Sequence, residues 1–441
     1  MDSQLDLVRM SPPSLVEFCK DLGINRFYLV YDSRSGVVRA SHPQLEPWAQ
    51  FLGSDTRDFM QHEGLFFQIT PQYDTLQGAF IHCTRRGQAA GGVRHWTYDS
   101  VEDFLRDGLR LSKGMTRKNA LAGLWWGGGK GVMARNPEID TGDLDARAYL
   151  YREYGRFISS LRGCYVTAED VGTSVEDMAS IFSHTRFTTC IPGDFGGSGN
   201  PSVPTARGVI SGMEAALEFM EMGSLDGKTV AVQGMGNVGG PLIGFLFDRG
   251  VKKILASDID PAVVTRVQSQ FASHTLEAAV VARGDAAILA AECDILSPNA
   301  VGAVLNPRTI PKIKAKIVCG AANNQLEDAL RDDRLLFEYD IRYVPDFLTN
   351  RMGIVNAANE QYGYVKNDPL FERHLTRDWQ HSIFQTTLRV LRKSCSTGTP
   401  TAEIAMRLAD RLSREEHPIF GHRGRQIIES LLIDRWHQAG T

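Results

Sequence analysis

Residues 228–247 read KTVAVQGMGNVGGPLIGFLF, and this stretch decides the fold. A short β-rich run leads directly into GMGNVG, and the residues that follow have the apolar spacing of a helix. Glycines here let the backbone approach a pyrophosphate, while the helix N-terminus presents free N–H groups to negative charge. We therefore predict a dinucleotide site, although an ordinary strand-to-helix turn would use similar glycines. Its candidate cofactor-binding residues are Gly234, Gly236, Asn237, Val238 and Gly239.

The next strand-like run, VKKILAS, ends at Asp258, 24 residues after Gly234. A carboxylate at this place can accept hydrogen bonds from the diol of an adenosine ribose. Asp260 adds a second negative charge that would repel a 2′-phosphate. The sequence therefore predicts NAD rather than NADP as the cofactor.

The pattern around this motif predicts two domains. From residue 206 to 350 helical segments alternate with strand candidates such as CDILS, AKIVCGA and IRYVPDF, which indicates an α/β, Rossmann-like, doubly wound nucleotide-binding domain. Residues 1–205 mix strand-like runs (FYLVYD, LFFQI, GAFIHC) with helical ones and predict an α/β substrate-binding and oligomerisation domain. The mostly helical residues 351–441 are expected to return to that first domain.

Composition excludes several classes. The 48 basic and 52 acidic side chains give a net charge of −4, so nucleic-acid binding is not expected. The start of the chain lacks a secretory signal, and charged residues interrupt its most apolar stretch, so no membrane association is expected. Seven cysteines without a Cys-x-x-Cys pair indicate reduced thiols in the cytoplasm. Eleven scattered histidines show no metal signature.

A cluster of cations precedes a run of glycines in LSKGMTRKNALAGLWWGGGKG, residues 111–131. Cations followed by Gly127, Gly128 and Gly129 suit an anionic small molecule held by backbone and ammonium groups. Neighbouring like charges also lower a lysine pKa, which suits acid/base chemistry. A solvated basic face would have the same composition. The cations are Lys113, Arg117, Lys118 and Lys130.

Asp170 follows a strand-like YVT and precedes a glycine turn. A carboxylate at a strand end can act as a general base, or it can cap the next helix. The local pattern leaves both interpretations open.

Six motifs in order make the chain resemble a known family: GGVRHWTYDS, LSKGMTRKNALAGLWWGGGKG, TAEDVGTSVEDM, SGNPSVPTARGV, VAVQGMGNVG and CGAANNQLED. Together they resemble the glutamate/leucine/phenylalanine/valine dehydrogenases, most closely the leucine and phenylalanine branch. The resemblance implies reversible oxidative deamination of an L-amino acid to a 2-oxo acid and ammonia, by a homo-oligomer.

The resemblance also implies roles for single residues. Lys118 would bind the substrate α-carboxylate, and Lys130 would polarise the reacting carbon's oxygen or activate the attacking water. Asp170 would exchange protons with the amine. The resemblance further assigns Gly91 and Gly92 to the substrate floor, and Thr205 with an asparagine of the pair Asn323 and Asn324 to the nicotinamide.

Specificity depends on Ala90, which stands where glutamate-specific members have a lysine that pairs with the substrate's side-chain carboxylate. Without that cation a buried carboxylate would lack a partner, so a large aliphatic or aromatic substrate is expected. Trp125 and Trp126 could add polarisable surface or simply pack in the core. The other apolar positions that match the side-chain pocket are Met115, Ala168, Ile354 and Ala357.

The sequence departs from the family at two places, and the first of them bears on the substrate. The family's Asn-Ala-Gly-Gly turn is here Asn350-Arg351-Met352-Gly353, which is expected to place a charged and a bulky side chain beside the cleft. A rival hypothesis is therefore a dehydrogenase for an acidic or polar amino acid that uses Arg351. A second rival is a catalytically weak homologue that binds nucleotide or amino acid. Residues 1–64 match no motif and are expected to serve packing or oligomer contacts.

Overall fold

A computed structural model describes residues 6–140 and 142–439, so the first five residues of the predicted N-terminal domain lie outside the described residues. The first part of the chain forms a mixed sheet with helices. Its strands are β1 (Arg26–Asp32), β2 (Val37–Ala40), β3 (Gly64–Ile69), β4 (Leu76–Cys83), β5 (Ala89–Ala90), β6 (Val93–Trp96), β7 (Gly127–Ala134) and β8 (Tyr165–Val166). Its helices are α1 (Pro12–Asp21), α2 (Glu46–Ser54), α3 (Val101–Leu121), α4 (Leu144–Ser160) and α5 (Val175–Phe182).

The strand order in this sheet is β2-β1-β3-β4-β7-β5-β8, with β6 also paired to β7. Strands β1 to β4 are antiparallel neighbours, whereas β5 and β6 run parallel to β7. Residues 6–64 supply the edge strand β2 and its neighbour β1, and they cover one face with α1 and α2, whose apolar side chains pack with Phe67 and Phe80. For these described residues the packing role is confirmed, and the alternative of oligomer contacts stays a prediction.

Helix α3 carries several of the cations. Its start is stabilised by the Ser100 side chain, which accepts a hydrogen bond from the Asp103 N–H. The predicted apolar face is confirmed, since Val101, Phe104, Leu105 and Leu109 are fully buried. This face anchors α3 against β4 and β7.

The second sheet is parallel throughout, in the order β11-β10-β9-β12-β13-β14. Its strands are β9 (Thr229–Gln233), β10 (Lys253–Asp258), β11 (Leu276–Val280), β12 (Ile295–Pro298), β13 (Ile317–Cys319) and β14 (Arg342–Val344). The helices are α6 (Ser202–Phe219), α7 (Gly239–Phe247), α8 (Pro261–Gln270), α9 (Arg331–Glu338) and α10 (Asp346–Thr349). The predicted Rossmann-like architecture is confirmed, although β11 is not among the predicted strands.

The C-terminal helices contact both parts of the chain. Ile383, Val390 and Ala405 pack in the core that surrounds α6 and β9, whereas Ile428 and Trp436 pack beneath the first sheet. The C-terminal segment therefore joins the two sheets rather than returning only to the first. Its helices are α11 (Met352–Gln361), α12 (Pro369–Glu372), α13 (Ile383–Thr397), α14 (Thr401–Leu412) and α15 (Arg423–Ile433).

Candidate active site

Lys130 projects from β7, a strand buried along its whole length. The glycines before it are strand residues, and the expectation that they form a ligand cradle is wrong. A Cβ on Gly128 would lie 2.0 Å from Thr116 Oγ1 and 2.2 Å from Thr116 N, and one on Gly127 would lie 2.0 Å from the Cys83 oxygen. The glycines therefore allow α3 and β4 to approach β7, which brings Lys118 and Lys130 to the same site.

Lys130 and Asp170 form a buried ion pair. Lys130 Nζ lies 2.9 Å from Asp170 Oδ2, and their side chains are 4% and 18% exposed. Burial alone would raise the pKa of Asp170, but the charges of Lys130 and Arg94 outweigh burial and lower it to about 2. Burial lowers the pKa of Lys130, and the attraction of Asp170 offsets only part of that effect. Asp170 does not cap α5, because Ser174 and Asp177 form its capping box.

Lys118 lies near the end of α3 and is close to Lys130. Burial lowers its pKa to about 8, against the opposing charge of Asp346 at the start of α10. Arg117, one residue earlier, points elsewhere and forms a two-pronged ion pair with Asp410 on α14. The predicted cation cluster is therefore divided between the site and the contact with α14.

The apolar positions of the predicted side-chain pocket belong to one buried cluster, which joins the first sheet to α11. Trp126 belongs to the same cluster, and the centroids of the Trp126 and Tyr362 rings are 6.3 Å apart. Trp125 is 37% exposed and stacks under the Arg86 guanidinium, so it does not contribute to this cluster. The cluster includes Ala90, Ala168, Ile354 and Ala357, with Met115 packed against it.

Gly91 and Gly92 allow the chain to pass between β7 and the Asp170 segment. A Cβ on Gly91 would lie 2.0 Å from the Gly129 oxygen and 2.8 Å from Met115 Cγ. One on Gly92 would lie 2.6 Å from the Glu169 oxygen and 2.8 Å from Asp170 Cβ. These glycines hold the catalytic candidates and the apolar cluster next to each other.

The predicted nucleotide loop lies between β9 and α7. Gly234 has a φ of +85°, and a Cβ on Gly239 would lie 1.9 Å from the Gly234 oxygen, so both positions require glycine. Gly236 and Asn237 are exposed, and Val238 provides no side-chain cap to α7. The start of α7 can therefore receive a phosphate group from the solvent side.

Asp258 lies at the end of β10, next to this loop, and its two carboxylate oxygens accept hydrogen bonds from backbone N–H groups. Met235 N donates to Oδ2 at 2.7 Å and Asp260 N donates to Oδ1 at 3.0 Å. These bonds fix the carboxylate beside the glycine loop, and each oxygen keeps acceptor capacity for a ribose hydroxyl. The donor set of the loop thus fits an adenine dinucleotide.

The resemblance assigns Thr205 and one of the pair Asn323 and Asn324 to the nicotinamide. These residues lie where the second sheet meets α11. A Cβ on Gly353 would lie 3.1 Å from Thr205 Oγ1, so α6 and α11 touch at this point. Asn323 Oδ1 accepts a hydrogen bond of 2.8 Å from Asn350 Nδ2, and Asn324 N donates to Asp346 at 2.6 Å. These contacts link the loop after β13 to α10 and α11.

The expectation that Arg351 and Met352 border the cleft is wrong. Both residues are completely buried. Arg351 Nη1 donates a hydrogen bond of 2.6 Å to the Leu121 oxygen at the end of α3, and Nη2 donates to the His381 oxygen. Burial lowers the pKa of Arg351 to about 9, and Arg389 adds to this effect. Arg351 is therefore a structural link between α3, α11 and the segment before α13, and the rival hypothesis that uses it as a substrate ligand fails.

Sequence reasoning missed three acids and a cation near the site. Asp346 follows the carboxyl end of β14, which is a common place for functional groups in parallel sheets, and this position was a signal that could have identified it. Glu169 accepts a hydrogen bond from Asn200 at 3.3 Å, and burial with nearby acids raises its pKa to about 7. Arg94 and Asp107 contact each other beside Asp170. No local pattern distinguishes this pair from surface charges.

The described chain offers neither a metal centre nor a membrane-spanning helix. Within residues 6–140 and 142–439, no three His, Cys, Asp or Glu side chains are grouped so that they could hold a metal ion. The helices of these two ranges are too short or too polar to cross a membrane.

Comparison with known proteins identifies the family. Residues 70–187 match the model for the Glu/Leu/Phe/Val dehydrogenase dimerisation domain, and residues 196–407 match the Glutamate/Leucine/Phenylalanine/Valine dehydrogenase model. The chain therefore belongs to the Glu/Leu/Phe/Val dehydrogenase family. This membership confirms the resemblance and the predicted class of enzyme, an amino-acid dehydrogenase that uses a nicotinamide nucleotide.

Three relatives show where in the family the similarity is high. The chain is 43% identical over 331 residues to leucine dehydrogenase of Bacillus cereus, covering 75% of this chain and 85% of that protein. It is 36% identical over 366 residues to phenylalanine dehydrogenase of Lysinibacillus sphaericus, covering 82% and 92%. The crystal structure of L-tryptophan dehydrogenase from Nostoc punctiforme is similar with a TM-score of 0.65 at 35% identity, covering 80% of this chain and 95% of that one.

Proposed function

We propose that this protein catalyses the NAD-dependent oxidative deamination of a large hydrophobic L-amino acid. The observation that carries the proposal is the buried pair of Lys130 and Asp170, which lies near Lys118 and is joined to the apolar cluster through Gly91 and Gly92. A cation, an acid/base pair and an apolar cavity wall are the groups that an amino-acid dehydrogenase needs around one carbon atom. The acidic-substrate alternative loses its support because Arg351 is buried and its guanidinium donates to the Leu121 and His381 oxygens.

In this mechanism Lys118 binds the α-carboxylate and orients the α-carbon. Asp170 is ionised at neutral pH and accepts a proton from the substrate ammonium, which frees the nitrogen lone pair. When bound, a nicotinamide ring supplies the acceptor for the hydride that leaves the α-carbon. Lys130, whose pKa is lowered by burial, takes a proton from the water molecule that attacks the same carbon. Asp170 then returns its proton to the nitrogen, the hydroxyl proton passes to solvent, and ammonia leaves as the carbonyl group forms.

Lys130→Ala and Asp170→Asn test these roles. Loss of one positioned acid/base group is expected to lower kcat by about two to four orders of magnitude. The affinity for the nucleotide should change little in both variants, because the loop at 234–239 lies on the other sheet. Stopped-flow turnover and fluorescence titration with NADH provide the two measurements, and near-normal turnover in either variant would reject the roles.

The proposed cofactor is NAD, on the basis of the fixed Asp258 carboxylate and the negative charge of Asp260 beside it. We expect kcat/KM for NAD to be at least about a hundredfold above kcat/KM for NADP, because the carboxylates repel the 2′-phosphate of NADP. This ratio corresponds to a penalty of about 2.7 kcal/mol against NADP. Asp258→Ser should reduce this ratio while leaving the KM for the amino acid unchanged. A wild-type preference for NADP would reject the assignment.

The proposed substrate is aromatic or bulky aliphatic, because Ala90, Ala168 and Ala357 are small, apolar and buried, and no charged side chain stands at these positions. The relatives that act on leucine, phenylalanine and tryptophan support this class. A panel of the twenty L-amino acids should give the highest kcat/KM with a large apolar one. Ala90→Leu should lower activity with phenylalanine and tryptophan through steric overlap while sparing smaller aliphatic substrates. A preference for glutamate in the wild type would reject the proposal.

Assembly, location and domain division complete the proposal. We propose a homo-oligomer, since residues 70–187 match a dimerisation domain. A cytoplasmic location agrees with seven free thiols. We also propose a division into a domain of residues 1–205 and a nucleotide domain of residues 206–350.

A further inference from the structure

Arg94 lies on β6, between the strand that carries Lys130 and the segment that carries Asp170. Val93 pairs with Gly131 of β7 on one side and forms a bridge to Glu169 on the other. This pairing brings the neighbouring Arg94 side chain into contact with Asp170. Arg94 Nε donates to Asp170 Oδ2 at 3.2 Å, the same oxygen that Lys130 contacts.

The other end of the guanidinium is held by α3. Arg94 Nη1 donates to both carboxylate oxygens of Asp107, at 3.0 and 3.1 Å. Tyr98 O–H donates to Asp107 Oδ2 at 2.7 Å. The Arg94 and Asp107 side chains are only 20% and 24% exposed, so water screens these charges poorly. The guanidinium is therefore fixed on both sides, as a flexible lysine would not be.

We propose that Arg94, held by Asp107, is a positioning residue that orients the Asp170 carboxylate and places a fixed positive charge beside Lys130. This inference rests on the proposed roles of Asp170 and Lys130. Asp170 Oδ2 receives a hydrogen bond from Arg94 even when Lys130 turns toward a substrate, so the carboxylate stays ionised and stays in place. The guanidinium is a constant positive charge beside an ammonium that must lose its proton.

The sign of the effect follows from the charges that face the pair. Burial has the largest effect on both groups, and it lowers the pKa of Lys130 but raises that of Asp170. The positive charge of Arg94 lowers both pKa values. Removal of its charge should therefore raise both pKa values. The remaining charged and titratable groups that act on the pair are Lys118 and Asp107 from α3, Tyr98, Tyr165 of β8 and Glu169 on the segment itself.

The test compares Arg94→Gln with a matched variant, Arg147→Gln. Arg147 makes a similar two-pronged pair with Asp177 and donates to the Gly172 oxygen in the same segment, but it does not contact Asp170. In Arg94→Gln the ascending limb of the pH profile of kcat/KM for oxidative deamination should move to higher pH by about one unit. At pH values below that limb, kcat/KM should therefore be about tenfold lower than in the wild type. Arg147→Gln should lower Tm but leave the limb unchanged.

Arg94→Lys separates charge from orientation and remains informative if Arg94→Gln does not fold. A lysine retains the charge, so the limb should stay at the wild-type pH. Its single ammonium cannot contact Asp107 and Asp170 as the guanidinium does, so kcat should fall about tenfold with little change in KM. Wild-type kcat in Arg94→Lys, or an unmoved limb in Arg94→Gln, would overturn the inference. If Lys130→Ala and Asp170→Asn are inactive in that case, the proposed function still stands.

Discussion

The segments 127–129 and 234–239 each contain three glycines, but the surroundings of these glycines are opposite. The first lies inside a buried strand, where Thr116, Cys83 and Tyr165 occupy the space of each missing side chain. In the second, a Cβ added to Gly236 would meet no atom within 4 Å, and this residue faces solvent near the start of α7. A glycine run can therefore exist to bring protein segments together or to leave room for a ligand, and only the neighbours distinguish the two.

The largest effect is expected from Gly128→Ala. The new methyl group would meet the Thr116 backbone at 2.2 Å, so α3 must move away from β7. Overpacking usually costs about 1–3 kcal/mol, and because the overlap here is with backbone atoms we expect a loss of about 4 kcal/mol or more in the free energy of unfolding. We expect a clearly lower Tm by calorimetry and loss of amino-acid turnover, because Lys118 and Lys130 would separate.

Gly114→Ala provides the control on the same helix. Gly114 is exposed and has no atom within 4 Å of an added Cβ, so alanine should stabilise α3 by about 0.5–1 kcal/mol. Equal Tm values for the two variants would show that the first run does not serve packing.

A smaller loss of stability is expected from Arg351→Ala. This change extends the comparison to a charged residue that the sequence pattern predicted beside the cleft. The change leaves the Leu121 and His381 oxygens without these donors and opens a cavity. We expect a loss of about 1–3 kcal/mol in the free energy of unfolding. The ranking of amino-acid substrates should stay the same.

Denaturant unfolding and the substrate panel measure these two quantities. Arg377→Ala, at a side chain that is 60% exposed, should change neither. A selective gain or loss of glutamate activity in Arg351→Ala would restore the interpretation of Arg351 as a ligand.

The smallest effect on stability is expected from Gly236→Ala. The methyl group meets no protein atom, so the free energy of unfolding should change by less than about 0.5 kcal/mol. The same methyl group would obstruct a pyrophosphate, and a cost of about 1.4 kcal/mol would raise the Kd for NADH tenfold. Fluorescence titration measures this change.

Gly53→Ala is the matched control, since Gly53 also has open space around it but lies on α2, in the other part of the chain. It should stabilise α2 by no more than about 0.5–1 kcal/mol. The affinity for NADH should not change. Unchanged NADH affinity in Gly236→Ala would show that the loop does not approach the dinucleotide at this position.

The sequence alone determined the features that depend on residues close together along the chain. The β-rich run at 229–233, the glycine loop and the apolar face of α3 are local periodicities, and each is found where the pattern predicted it. The family could also be recognised, because six ordered motifs preserve spacing that a chance match would not.

Only the tertiary structure decided the features that depend on distant residues. The role of Gly127–Gly129 required Thr116 and Cys83, which no local pattern connects to them. Arg351 is a structural cation because the end of α3 offers it a carbonyl oxygen 230 residues away. Arg94 contacts Asp170 across 76 residues through the pairing of β6. A side chain's charge and size are local, but its partner and its exposure to water are set by the fold, and these decide whether it binds a ligand or holds the protein together.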